Sequence, residues 1–156
     1  MKFLSGIIIA AILLSVTPTV LLAQLTEQHI SKEKWQRYGK TKSIGVAKAT
    51  LDYRVNETDT TFLLLLEDER KELKNFFSVS FSSRGNTLES LYTILISFFE
   101  KENWRNDEYI KIFTLGNTKV SVYKAAGLIQ QKAIIFSTDK GRCRLSKNEI
   151  NQLFDR

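Results

Sequence analysis

Between residues 47 and 100 the apolar positions first alternate, then run together, then alternate again, and finally recur at helical spacing. Ala47, Ala49, Leu51, Tyr53 and Val55 alternate with Lys48, Thr50, Asp52, Arg54 and Asn56, a period of two that predicts a half-buried strand. Asn56-Glu57-Thr58-Asp59 reads as a turn. The uninterrupted Phe62–Leu66 run that follows fits a strand covered on both faces, and the two segments predict an antiparallel hairpin. A polar connection passes through Lys71, Glu72, Lys74 and Asn75. Phe77, Val79 and Phe81 then alternate with Ser78, Ser80 and Ser82, so that three large side chains fall on one face and three hydroxyls on the other.

Arg84-Gly85-Asn86 breaks this strand, and from Leu88 the apolar positions recur at Leu91, Tyr92, Leu95 and Phe99, widened by Ile94, Ile96 and Phe98. The pattern predicts a long helix laid across a sheet. Asn86 or Thr87 is the expected N-cap, with Glu89 completing a capping box to Asn86. The aromatic face of Tyr92, Phe98 and Phe99 is expected to pack a core rather than line a ligand pocket.

Beyond the helix, Trp104–Glu108 is expected to be a polar loop. Residues 109–115 and 118–124 read as strands joined at Gly116-Asn117, a tight-hairpin signal because such turns need positive φ. Ala125-Ala126-Gly127 punctuates, Lys132–Ser137 is a further strand, and Asp139-Lys140-Gly141 is a turn. Ser146 and Glu149 have capping-box spacing, Leu145 and Ile150 that of a hydrophobic staple, so a short helix closes the chain. The sum is an α+β fold: a mostly antiparallel sheet of five to six strands, packed by one long central helix and a short C-terminal helix.

The N-terminus adds a destination. Lys2 precedes an almost wholly apolar stretch from Phe3 to Leu14, Thr17-Pro18-Thr19 interrupts it, and Ala23 offers a small residue for cleavage. This is the three-part pattern of a secretory signal peptide, although Leu21 is large for its place before the cut. The alternative is an uncleaved anchor over Phe3–Ala23, close to the ~20 residues that span a bilayer. The expected organisation is a signal peptide over 1–23, a polar basic leader over 24–42 and a single α+β domain over 43–156. The expected location is secreted or periplasmic, or membrane-anchored if the segment is retained, with membrane contact only through it. Gln24, not a cysteine, directly follows Ala23, so no thiol stands there to carry a lipid. The leader holds Lys32, Lys34, Arg37, Lys40 and Lys42 with Trp35 and Tyr38 interleaved, and its pattern leaves a loose arm and a short helix both open.

Charge and chemistry narrow the function less. The net charge is +6, and loss of a signal would remove Lys2 and no acid. The excess suits an anionic partner and equally suits solubility, while export and so mild a balance argue against nucleic acid. Cys143 is the only cysteine, so no internal disulfide forms and stability must come from packing. His29 is the only histidine and lies far from Cys143 in sequence, which gives no sign of a Cys–His dyad. Arg142 and Arg144 flank Cys143 in what reads as a basic turn; flanking cations lower a thiol pKa, yet an inert thiol is expected. Asp52, Glu57 and Asp59 lack calcium-loop spacing, and no metal or cofactor is expected. Glu67, Asp68 and Glu69 read as a solvated turn beside Arg70 and Lys71. Asn56-Glu57-Thr58 matches a glycosylation sequon. Lys140, Arg142, Arg144 and Lys147 form a basic cluster that, with Trp35 and Arg37, is the candidate surface for an anion or partner. The reading is an exported binding domain, not an enzyme, that meets a protein or glycan at or outside the cell envelope. The alternatives are an envelope hydrolase using carboxylates near Glu67, and a domain tethered by its N-terminus.

Overall fold

A computed structural model describes residues 34–41, 46–70, 74–126 and 132–156. The signal-like segment, His29 and most of the leader lie outside the described residues.

The fold is α+β, with eight strands in two antiparallel four-stranded meanders rather than one sheet of five or six. The first sheet is β1 (Gln36–Lys40), β2 (Ala49–Val55), β3 (Thr60–Glu67) and β4 (Phe76–Ser82) in spatial order. The second is β5 (Ile110–Leu115), β6 (Thr118–Lys124), β7 (Ala133–Ser137) and β8 (Arg142–Ser146), again in sequence order. Between them come α1 (Thr87–Ser97) and a short α2 (Lys101–Arg105), and α3 (Lys147–Leu153) closes the chain.

The strands buried by alternation do what their pattern asks. In the first sheet Leu51, Leu64 and Val79 share one cross-strand row, and Phe62 and Phe81 share the next; all five are buried. Phe62 and Phe81 stack at 5.4 Å between centroids, and Tyr38 meets Phe62 edge-on at 5.8 Å. The expectation that β3 is covered on both faces is corrected: Phe62, Leu64 and Leu66 are buried, whereas Leu63 and Leu65 are half-buried beside Ser80 and Ser78 on the outer face. In the second sheet Val122, Phe136 and Cys143 form a fully buried row.

Both inner faces feed one core. Leu91 and Leu95 of α1, Phe98 just past its end, and Ile150, Leu153 and Phe154 of the C-terminal segment join the residues of both sheets in a single cluster. The aromatic side of α1 is thus core: Phe98 is fully buried, Tyr92 packs on Phe154 at 5.4 Å and its hydroxyl reaches Asn151 at 3.2 Å. The hairpin at Gly116 presses against the first sheet. Gly116 sits at φ 59°, and a Cβ there would collide with the carbonyl of Ser80 in β4, so glycine is required twice over.

Four local expectations are revised. Asn86 precedes α1 in the left-handed region (φ 60°) without a side-chain cap, so its capping box does not form. The Ser146–Glu149 box does form, with Glu149 Oε2 accepting from Ser146 N–H at 2.7 Å. Trp104 lies in α2, not a loop, stacked on Phe99 at 5.9 Å. Cys143 lies in β8, not a turn. Finally, Gln36–Lys40, within the basic leader, pairs with β2 as a strand rather than forming an arm or helix.

Leu64→Ala should cost ~2–5 kcal/mol of unfolding free energy, in the range for a buried leucine, while Leu63→Ala, one position along and half-exposed, should cost well under half as much; urea unfolding of the two variants checks the assignment of faces.

Candidate functional site

The register of the second sheet sorts its side chains by face. Val122, Phe136 and Cys143 point inward, so Ser121, Ser137 and Arg142 share the outer face in one row, with Ile112 beside them on β5. Tyr123, Ile135 and Arg144 form the neighbouring row with Ile110, and Lys119 lies opposite Thr114 on the same face. At the hairpin ends an open groove of about 690 Å³ is lined by Lys119, Ser121, Ser137, Thr138 and Lys140 among others. Lys119 and Lys140 line this groove, and Arg142 and Arg144 lie beside it on the outer face of β8. Glu69 is shared between two of them, with Arg142 Nε at 3.2 Å and Arg144 Nε at 3.6 Å. Asp139, in the β7–β8 turn, is the acid that lines the groove itself. The face keeps a positive excess over a hydroxyl-rich floor, which is an arrangement that holds carboxylates, sulfates or phosphates by charge and by O–H donors.

The sequence cluster is thus only partly brought together. Arg142 and Arg144 share the outer face of the second sheet, and Lys140 lies in the β7–β8 turn at the end of that sheet. Lys147 is the first residue of α3 and is exposed. Arg37 lies in β1 and is ion-paired to Asp52, and Trp35, just before β1, carries the Arg54 guanidinium over its ring at 5.0 Å. Lys119, Ser121 and Ser137 were not singled out by sequence. Their signal was the alternation within β6 and β7 read through the hairpin register, and it becomes legible only once that register is known.

A second groove lies by α2, lined by Trp104, Asp107, Ile110, Tyr123 and Lys124 among others. Its indole is not a free platform: Phe99 stacks on it, and the ammonium groups of Lys132 and Lys124 lie 5.1 and 5.9 Å from its centroid.

The acids near Glu67 separate by environment. Asp68 is buried, with its side chain 1% exposed. It accepts from Arg70 Nε and Nη2 at 3.0 Å each, and from the Arg70 and Arg142 backbone N–H groups at 3.2 Å each. Glu69 N–H in turn donates to the Arg142 carbonyl at 2.9 Å, and Arg70 Nη2 to the Lys140 carbonyl at 2.9 Å. These bonds pin the end of β3 to the edge of β8. The Arg70 side-chain bonds, opposed by burial and reinforced by the two N–H donors, hold the Asp68 carboxyl far below its usual 3.8. On α3, burial pushes the Glu149 carboxyl up, but Ser146 and the Lys48 ammonium at 3.0 Å outweigh it, so it too ends below its ordinary value.

Cys143 is fully buried, and burial pushes its thiol up to about 12. Arg142 and Arg144 flank it in sequence but point to the opposite face of β8, which is why they do not activate it. Among the described residues no group of three metal-ligating side chains converges, and no helix is long and apolar enough to cross a membrane. Comparison with known proteins finds no matching family model, no matching curated protein and no matching solved structure.

Two measurements test this geometry. The Cys143 thiol should resist a water-soluble disulfide reagent in the native protein and react fully once unfolded. Asp68→Asn should cost ~1–3 kcal/mol near neutral pH, the penalty for unpairing a buried bonded group. A depressed carboxylate stabilises above its unfolded pKa and loses that contribution as pH falls through the folded value. The gap between the variant and the parent should therefore be full above about pH 5 and narrow steadily below about pH 4.

Proposed function

We propose that the chain is a binding domain rather than an enzyme, and that it holds an anionic partner, protein or glycan, against the outer face of the second sheet. The observation that carries this reading is the gathering of Lys119 and Lys140 around a hydroxyl-floored groove, with Arg142 and Arg144 beside it on the outer face of β8, only partly neutralised by Glu69 and Asp139. A groove this open and this polar suits an extended polymer or a protein surface better than a small molecule, which asks for a deeper, more apolar pocket. Among the described residues, Asp68 is committed to four donors, Glu69 to two arginines and Cys143 to the core. The signal-like N-terminus supports action outside the cytoplasm, at the envelope or beyond.

Titrating the protein with an acidic glycan and with its neutral counterpart tests the reading. The acidic polymer should bind, the neutral one should not, and affinity should fall steeply with salt, because exposed charges are screened within ~10 Å at 0.1 M ionic strength. Lys119→Glu with Lys140→Glu should weaken binding by about tenfold or more, equivalent to ~1.4 kcal/mol, without moving the unfolding midpoint. Equal binding of both polymers, or cleavage of either, would overturn it.

A further inference from the structure

Each of the two sheets has two edges, and three of the four edges are blunted. β1 is only five residues long, changes register between Arg37 and Gly39, and backs onto α3, where a Cβ on Gly39 would collide with the Leu153 carbonyl. β4 carries the Gly116 turn against its Ser80 carbonyl. β8 is capped by Asp68 and Glu69, which bond to both the N–H and the carbonyl of Arg142. Short strands, bulges and covering segments are the usual protections of a sheet edge.

β5 has none of these over Ile110–Thr114. Among the described residues its backbone pairs there only with β6. Ile110 is 54% and Ile112 63% exposed, and Lys111 and Thr114 are exposed as well. A free strand with two bare isoleucines is a template for another strand.

We propose that the occupant is a second copy of this chain, with β5 pairing antiparallel to β5 across a two-fold axis at Ile112. The open stretch is symmetric about that residue. The axis sets Ile112 against Ile112 and Ile110 against Thr114 of the second copy on the outer face, with Lys111 against Phe113 on the inner one. No like charges are opposed, as a register centred on Lys111 would require. Beyond the paired stretch, Glu108 lies in the turn before β5 and Lys119 of β6 lies opposite Thr114 near the other end of β5, so antiparallel pairing brings the acid-bearing end of each copy beside the base-bearing end of the other. Both residues are exposed, and neither has an ion-pair partner among the described residues. The interface is isologous, so these complementary charges occur twice. The result is one eight-stranded sheet with both cationic faces on the same side, a doubled platform for an extended anionic partner.

The test is the mass in solution of the full chain, measured by light scattering at rising concentration, with Ile112→Lys as the variant. The parent should reach twice the chain mass and the variant should stay monomeric with its unfolding midpoint unchanged. Register is read by oxidising Ile112→Cys and Ile110→Cys: the first, facing itself on the axis, should form a disulfide-linked dimer at least several-fold faster than the second. A parent that stays monomeric, a variant that still dimerises, or equal cross-linking of the two cysteines would overturn the proposal. So would a monomer that binds anionic vesicles through Ile112, which would assign the strip to a lipid surface.

Discussion

The structure rests on one apolar interior shared by two sheets. Neither meander closes on itself, and each would leave a face of large side chains in water if it stood alone: Phe62, Leu64, Phe77 and Val79 on the first, Val120, Val122, Phe136 and Leu145 on the second. Each such side chain is worth ~1.5–3 kcal/mol on burial, and a lone four-stranded sheet has nothing to bury it against. With a single cysteine, no disulfide can substitute for that burial. The helices complete the enclosure, α1 through Leu91 and Leu95 and the C-terminal segment through Ile150, Leu153 and Phe154.

Polar contacts then fix how the two sheets meet. Asp68 is the most demanding of them, because a carboxylate removed from water must find its acceptors' worth of donors nearby. It finds them in Arg70 and in the Arg142 N–H of the other sheet. Gly116 against Ser80 marks a second close approach on the β4 side. At the chain terminus, Lys48 reaches Glu149 inside the α3 capping box, tying the start of β2 to the last helix. The same arrangement that stabilises the seam exposes the outer face of the second sheet, with Arg142 and Arg144 held out by their pairing to Glu69. Core formation and the candidate binding surface are two sides of one set of strands.

What sequence conveyed followed from how local the cause was. Alternation in 77–82, the helical stripe from Leu88, the Gly116-Asn117 turn and the Ser146 capping box depend on neighbours a few residues apart, and all four are present. β8 was missed because Arg142, Arg144 and Ser146 alternate with only Cys143 and Leu145, a pattern too short to separate from a basic turn. β1 was left undecided because its exposed positions, Gln36, Arg37 and Lys40, are polar or charged and Gly39, its buried one, has no side chain to signal burial. The division into two sheets depends on which strands pair across the molecule, and period two is silent on that. The Asn86 cap failed for a specific reason: the residue takes a left-handed backbone to leave the 3-10 turn at 84–86, and its side chain does not reach the helix. At the candidate surface, the basic residues of β8 were visible in sequence, whereas Lys119, Ser121 and Ser137 joined them only through register.

The central claim is that the two sheets form one cooperative unit, and the chain carries a reporter near each. Trp35 lies just before β1 under Arg54, and Trp104 lies in α2 beside Lys124 of β6. Denaturant unfolding of Trp35→Phe and Trp104→Phe, each followed by the fluorescence of the remaining indole, tests it directly. Corrected for any shift in far-ultraviolet circular dichroism midpoint caused by the substitution itself, the two indoles should report one coincident transition. Two separated transitions would show that each sheet folds without the other and would contradict the shared interior.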